Sequence, residues 1–500
     1  MDKQNSSYKQ IIKSTSIFGG SQLINIIIGF ARSKIIALLL GSTGVGLIGI
    51  YQSIVDMVRS IACMGIDTGG IREVAAINST HDRTKLEELV AVIRWWILGA
   101  SIFGSLVCII FCYPISIWAF ESGEYTLPIA LLSIAVFFTL LNLGQIIVIQ
   151  GTRQIPSLVK ANIISNTSSL LLSVPIYYFL GLKGIAISLV LGSIATFLIT
   201  QRYYNKLRIK HIPTSSAIAL RKGKKILKLG LFVVSASVCA TVSMFVIRSF
   251  ISNNVSLEAA GLFQAVWTIT GVYLMLILRS MGSDFFPRLS GIINKNVATR
   301  RLVNEQTFIV LIAATPLIVG MILFSKLALI ALYSHEFVSA TSLLQWQILG
   351  TFLKVISWPM GFILLAKTKG TWYLYSEVLF YIVYLLASYL LYPHYGLDAV
   401  GIGYLLSYAF YLVCMLIMSN RLCRFRWTSE ILSMSLISFS FILVSFYMMH
   451  RLDGIPAYLT TSVIFILSIT YSLYKLNKII NIKDILKDIK LRIPFGRNRN

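Results

Sequence analysis

The sequence predicts an all-α polytopic membrane protein with about fourteen transmembrane helices, and three observations carry that expectation. The chain has 500 residues, 56% hydrophobic and only 13% charged, too little charge to cover a soluble protein of this size. Mean hydropathy is +0.79, and apolar runs of about 20 residues recur from end to end. Runs of about ten residues with alternating polarity, the mark of an outer-membrane barrel, are missing.

Taken in order, spans are expected near residues 14–40, 47–66, 95–118, 127–149, 158–180, 184–204 and 229–251. The remainder are expected near 261–283, 307–333, 341–366, 371–392, 399–419, 431–450 and 458–474. The first run follows Lys9 and Lys13 as a signal peptide would. It is longer than such a segment's apolar stretch and leads into a second run, so it is expected to stay as a mature span. The Gly-rich turn 41–46 separates these two runs.

Charge sets the expected orientation. With the N-terminus in the cytoplasm, about 34 of the 44 Lys and Arg fall in cytoplasmic segments and about two, Lys183 and Arg451, outside. The reverse orientation would export the basic cluster 221–225. Both termini are therefore expected in the cytoplasm. The external loops 120–126, 252–260, 334–340 and 393–398 are too short to form a domain.

The chain reads as two halves repeating at about 215 residues. Gly44-Val45-Gly46-Leu47 corresponds to Ala260-Gly261-Leu262, Arg32 to Arg248, and Arg72 to Arg288. The segment 181–185 corresponds to 396–402. An even number of spans per half gives the halves one orientation, with a cavity between two lobes of about six helices each. The expected division is an N-lobe over 1–204, a basic linker over 205–228 and a C-lobe over 229–420. An extra helix pair follows over 421–474, then a basic tail over 475–500. Ile482, Ile485, Leu486 and Ile489 make one face of that tail, as in a helix lying on an anionic leaflet; a frayed basic tail is the alternative.

A net charge of +25 is explained by positive cytoplasmic loops without nucleic acid. The six cysteines lie in or beside apolar runs without metal-ligand spacing, and the five histidines are scattered. No metal site and no cofactor is expected.

Charges within the spans point to function, because each costs about 2.5–3.5 kcal/mol near the bilayer centre. Arg32 and Lys34 lie in the first span. Gln52, Asp56, Arg59 and Cys63 fall on one helix face in the second, expected to point into the bundle. Span eight carries Gln264, Thr268, Gly271, Met275 and Arg279, and span ten Gln347, Thr351, Lys354 and Trp358. Span four adds Asn142 and Gln145. Cations (Arg32, Lys34, Arg59, Lys160, Arg248, Lys354) outnumber acids (Asp56, Glu377), which favours an anionic ligand such as a diphosphate. Trp267, Tyr273, Trp346 and Trp358 are candidates to stack on sugar rings or simply to pack. The structural alternative pairs Asp56 with Arg59 as a strut and lets Arg248 and Arg279 snorkel to the interfaces. Arg32 and Arg248 are expected to face each other across the cavity, with Arg59 and Lys354 deeper. Glu377 is the better candidate for proton or sodium coupling, and Asp56 the ionised strut.

Gly261-Leu262-Phe263-Gln264, the run Leu344-Gln345-Trp346-Gln347-Ile348-Leu349-Gly350 with Lys354 after it, and Ala366-Lys367 followed by Glu377 carry a resemblance. Over roughly residues 10–420 the chain resembles bacterial O-antigen and enterobacterial-common-antigen flippases of the multidrug/oligosaccharidyl-lipid/polysaccharide exporter superfamily. The resemblance implies a V-shaped, two-lobed transporter. It would carry an undecaprenyl-diphosphate-linked oligosaccharide across the bilayer, with the sugar-diphosphate in the cavity and the lipid tail in the membrane at a lateral gate. Expected partners are that polyprenyl-linked oligosaccharide, membrane lipids and polysaccharide polymerase machinery. The extra helix pair departs from the pattern of about twelve spans and resembles the lipid II flippase branch. A cation-coupled drug exporter of the same superfamily is a further alternative. A membrane polymerase or ligase fits less well, because no sizeable external loop carries clustered acids.

Overall fold

The computed structural model describes residues 2–80, 82–210, 212–273, 281, 285–286, 288–452 and 454–477; the side chains of 2–23, 225–233 and 272–273 lie outside that description. Helices α1 (Asp2–Cys63), α2 (Ile66–Asn78), α3 (Arg83–Ile110), α4 (Cys112–Phe120), α5 (Thr126–Gly151), α6 (Ile155–Leu180) and α7 (Gly184–Asn205) come first. They are followed by α8 (Ser216–Asn254), α9 (Leu257–Thr268), α10 (Asn296–Leu323), α11 (Ser325–Leu332), α12 (Thr341–Ala366), α13 (Gly370–Tyr395) and α14 (Asp398–Cys423). The last pair is α15 (Ser429–Arg451) and α16 (Ile455–Asn477).

Among the described residues, 11 helical stretches are long and apolar enough to cross a membrane. Two of them, Ile24–Cys63 and Ile155–Asn205, run for 40 and 51 residues. At about 1.5 Å per residue each exceeds the roughly 30 Å hydrocarbon core, so each holds two of the runs read from the sequence. Gly41 breaks the first at φ 66°, a left-handed value that glycine adopts without strain. A single tight turn, Gly181–Lys183, breaks the second, with Gly181 at φ 57°.

Some boundaries differ from the sequence reading. Helix α3 starts at Arg83, where the Asp82 carboxylate accepts from the Lys85 amide as an N-cap. It starts well before the apolar run at Trp95, because the cap and not hydropathy sets the first turn. Helix α8 begins at Ser216, whose preceding Ser215 caps it by accepting from the Ile218 amide. Half of the expected linker is thus helical. The amphipathic tail expected after Tyr474 lies, from residue 478 on, outside the described residues.

The packing separates two sets of helices. In the first, α3 packs on α5, α5 on α7 and α6 on α7; in the second, α14 packs against both α12 and α13. Residues 42–63 of α1 run along α9, and α8 reaches α1, α2, α3 and α4 on one side and α13 on the other. These two contacts join the lobes. Helices α15 and α16 pack on α10, outside the pseudo-symmetric part.

Candidate functional site

Where the lobes meet, the repeat-related glycines touch. A Cβ on Gly46 would stand 2.3 Å from the Leu257 carbonyl oxygen, and one on Gly261 would stand 1.9 Å from the Ser42 carbonyl oxygen. Only glycine permits this backbone-on-backbone approach. One turn further along, Gly49 lies against the Gln264 side chain, whose Oε1 is buried. The turn at Gly41 is tied down from the second lobe. The Ser42 amide donates to both Glu336 carboxylate oxygens, at 3.1 and 3.2 Å, and the Ser42 hydroxyl donates to the same group. Lys34 Nζ donates to the Ile330 carbonyl at 2.6 Å. The lobes are therefore latched at this end.

Away from the latch the wall becomes polar and accessible. Asp56 and Arg59 approach to 4.0 Å across one helical turn, their side chains 42% and 40% exposed. Gln52 is exposed and Cys63 buried, so the stripe is accessible from Gln52 to Arg59 and closed at Cys63. Charged groups exposed at membrane depth favour a water-filled space over lipid. From Gly46 to the exposed Gln52 the helix rises about 9 Å, so this space begins just below the latch. Arg32 is half-buried, with no partner among the described residues.

Arg248 does not snorkel. It is 8% exposed, and its guanidinium donates to the Ser53 hydroxyl on α1. Packing of α8 against residues 42–63 leaves it no path to the interface, and it lies one turn from Asp56 along α1. Arg248 is thus packed between α8 and α1, bonded to Ser53 and in no ion pair with Asp56 among the described residues, and in this conformation it does not face Arg32 across open space as expected. Arg279 lies outside the described residues. Lys160 is exposed near the start of α6.

Span ten divides its polar residues between two environments. Gln347 and Thr351 are each 1% exposed. They sit in packed core because α12 lies flush on α14, with Gly350 against Tyr404 and Leu405. The Gln347 amide has no partner there among the described residues, and it faces no open wall. Lys354, one turn on, instead lines a cavity of about 280 Å³ within the second lobe, shared with Trp358, Glu377, Tyr373 and Tyr411. Its Nζ lies 5.5 Å from the Tyr408 ring centroid, and the Tyr411 hydroxyl donates to Glu377 Oε1 at 3.1 Å. Lys354 and Glu377, given separate tasks in the sequence reading, belong to one site. Of the tryptophans, Trp346 packs on Phe446 of α15 at 4.6 Å, and so serves the helix pair; Trp358 alone borders a described cavity.

The first lobe has a counterpart of about 400 Å³. There the Gln145 amide donates to Gln201, Gln201 Nε2 donates to Asn205 Oδ1 at 2.6 Å, and Arg94 Nε donates to the Tyr204 hydroxyl at 3.0 Å. Gln145 was legible as a polar residue in a span. Its partners were not, although Gln201 and Asn205 stand at the i,i+4 spacing that marks a helix face.

Two helical lobes latched at one end, with charges opening from the other side of the latch, define the class: a multi-pass membrane transporter. Solved structures share the fold. One, described as lipid II flippase MurJ in an inward closed conformation, is 15% identical and covers 93% of this chain and 99% of its own, with a TM-score of 0.68. A multidrug resistance MATE family transporter of the MOP superfamily, inward-facing, is 14% identical with a TM-score of 0.66, covering 83% and 96%. In sequence, the lipid III flippase of Escherichia coli (strain K12) is 23% identical over 408 residues, 80% of this chain and 96% of that protein. The chain belongs to the polysaccharide biosynthesis protein family, whose pattern it matches over residues 11–293.

Proposed function

We propose that this chain is a flippase that moves a polyprenyl-diphosphate-linked oligosaccharide between the leaflets of the bacterial inner membrane. The observation that carries the reading is the sign of the charges where the lobes meet: Arg32, Lys34, Arg59 and the buried Arg248 against Asp56 and Glu336. A diphosphate must leave water to cross, and a fixed cationic wall offsets part of that cost. The planar fork of arginine matches phosphate oxygens in pairs. Likeness to the lipid III flippase along most of the chain supports the same substrate class.

On this reading both termini are cytoplasmic, and the latch at Gly46, Gly261 and Glu336 is the external gate, shut in this conformation. Substrate enters from the cytoplasmic side, the diphosphate meets Arg59 first, and the polyprenyl tail stays in the bilayer. Breaking the latch while the opposite end closes would deliver the glycan outside. Glu377, with Lys354 beside it, is the proposed coupling site for a proton or sodium ion. Lipid II is the second candidate substrate. It is favoured by the fold likeness to a lipid II flippase structure that covers 93% of this chain.

The test is surface glycan in a flippase-deficient strain, with membrane abundance measured alongside. Arg32→Gln with Arg248→Gln should abolish export at normal abundance, and Lys at both positions should restore part of it. Ser53→Ala removes only the hydroxyl bound to Arg248 and should retain export. Full export from the double Gln variant would overturn the proposal.

A further inference from the structure

Helix α10, the linker after α14 and the first turn of α15 enclose an open cavity of about 660 Å³ that the transport reading does not use. Its lining changes character along α10. Arg300, Arg301 and Glu305 occupy the first turns, and Phe308 and Ile309 follow, Ile309 half exposed. Ile431 of α15 continues the apolar side. The cavity is cationic at the helix end and greasy toward the membrane interior.

The charges are not mutually satisfied. Arg301 Nε donates to Glu305 Oε1 at 2.8 Å, and Glu430 is held at 3.3 Å by Lys475 of α16. Both carboxylates thus have cations of their own. The guanidinium groups of Arg300 and Arg426 have no acceptor among the described residues. The backbone that carries Arg426 is also held in place before any ligand arrives. Asn304, 8% exposed, donates to the carbonyls of Arg300 and Arg426 at 2.9 and 3.2 Å and accepts from the Thr428 amide at 3.2 Å. Asn420 Nδ2 holds the Phe425 carbonyl at 3.1 Å, where the chain turns at Arg424 through φ 53°.

We propose that this cavity binds an anionic phospholipid, with its phosphate on Arg300 and Arg426 and an acyl chain along Phe308, Ile309 and Ile431. Basic pockets between membrane helices select acidic headgroups by charge, and arginine pairs with phosphate through its fork. A free phosphate would use only the cationic end and leave the apolar wall in water. An acidic peptide would likewise have no use for that wall. A lipid satisfies both ends and fastens α15 to α10 across the linker.

The test uses the full-length protein in nanodiscs of phosphatidylcholine doped with phosphatidylglycerol, with retained lipid read by native mass spectrometry. Phosphatidylglycerol should be retained over phosphatidylcholine by roughly tenfold, and the preference should shrink as salt rises. Arg300→Gln with Arg426→Gln should remove the preference; Lys206→Gln, in the other lobe, should leave it. If the double variant does not fold, Arg300→Lys with Arg426→Lys should keep a weaker preference. No headgroup preference, or one indifferent to salt, would overturn the proposal. So would displacement of the lipid by millimolar inorganic phosphate or by hexaglutamate, which would mark a simple anion site or a protein partner instead.

Discussion

Adding a single methyl group at Gly261 tests whether the two lobes are held shut by backbone contact. In the latched state the new carbon would stand 1.9 Å from the Ser42 carbonyl oxygen and 3.0 Å from the Gly46 nitrogen. Ordinary carbon-to-oxygen contact needs about 3.4 Å, so residues 42–63 of α1 must retreat from α9 by more than an ångström. Both sides of the clash are backbone, and no rotamer change relieves it. Overpacking of this kind costs about 1–3 kcal/mol, and 1.4 kcal/mol is a tenfold change in the ratio of open to latched molecules. Gly261→Ala should therefore raise the open fraction by about five- to 150-fold. The assay is labelling of Gln52→Cys by a membrane-impermeant maleimide added outside, read peptide by peptide so that the six native cysteines are scored separately. Gln52 lies below the latch and should react faster in the Gly261→Ala background. Gly99→Ala is the control, because nothing lies within 4 Å of a Cβ there. Unchanged labelling and unchanged export from a normally abundant Gly261→Ala protein would refute the closure argued from these glycines.

Three further outcomes are expected. Glu336→Gln removes the charge from the bonds to Ser42 and should weaken the latch by about 1 kcal/mol, less than a buried charged hydrogen bond because Glu336 is exposed; the same maleimide assay reads it. Glu377→Gln should uncouple transport from an imposed pH or sodium gradient, and glycan export that still follows both gradients normally would remove Glu377 from the coupling role. Single cysteines at Ser122, Asn254 and His394 should label from outside intact cells, and those at Thr80, Ser216 and Asn294 only after permeabilisation. External labelling at Ser216 would reverse the orientation.

Composition and local pattern determined much of this protein. They were enough for a helical membrane chain, for the approximate position of most of its apolar runs, and for a repeat that pairs Gly46 with Gly261. The Asp56 and Arg59 pair was also legible, because its i,i+3 spacing is settled by the helix itself. What surrounds each helix was decided elsewhere. In a membrane, lipid-facing and core-facing positions are both apolar, so the periodicity that marks the buried face of a soluble helix carries little signal. Leu171, 67% exposed, and Ile129, fully buried, look alike in the sequence. For the same reason Gln347 could not be distinguished from Lys354 as a wall residue, nor Trp346 from Trp358. Tertiary packing made those choices: α14 against α12 closed over Gln347 and left Lys354 beside Glu377. It also pressed α8 onto α1, which turned Arg248 from a residue near a helix end into a buried partner of Ser53. Contacts between segments from about 50 to about 200 residues apart set those positions, and no local spacing encodes them.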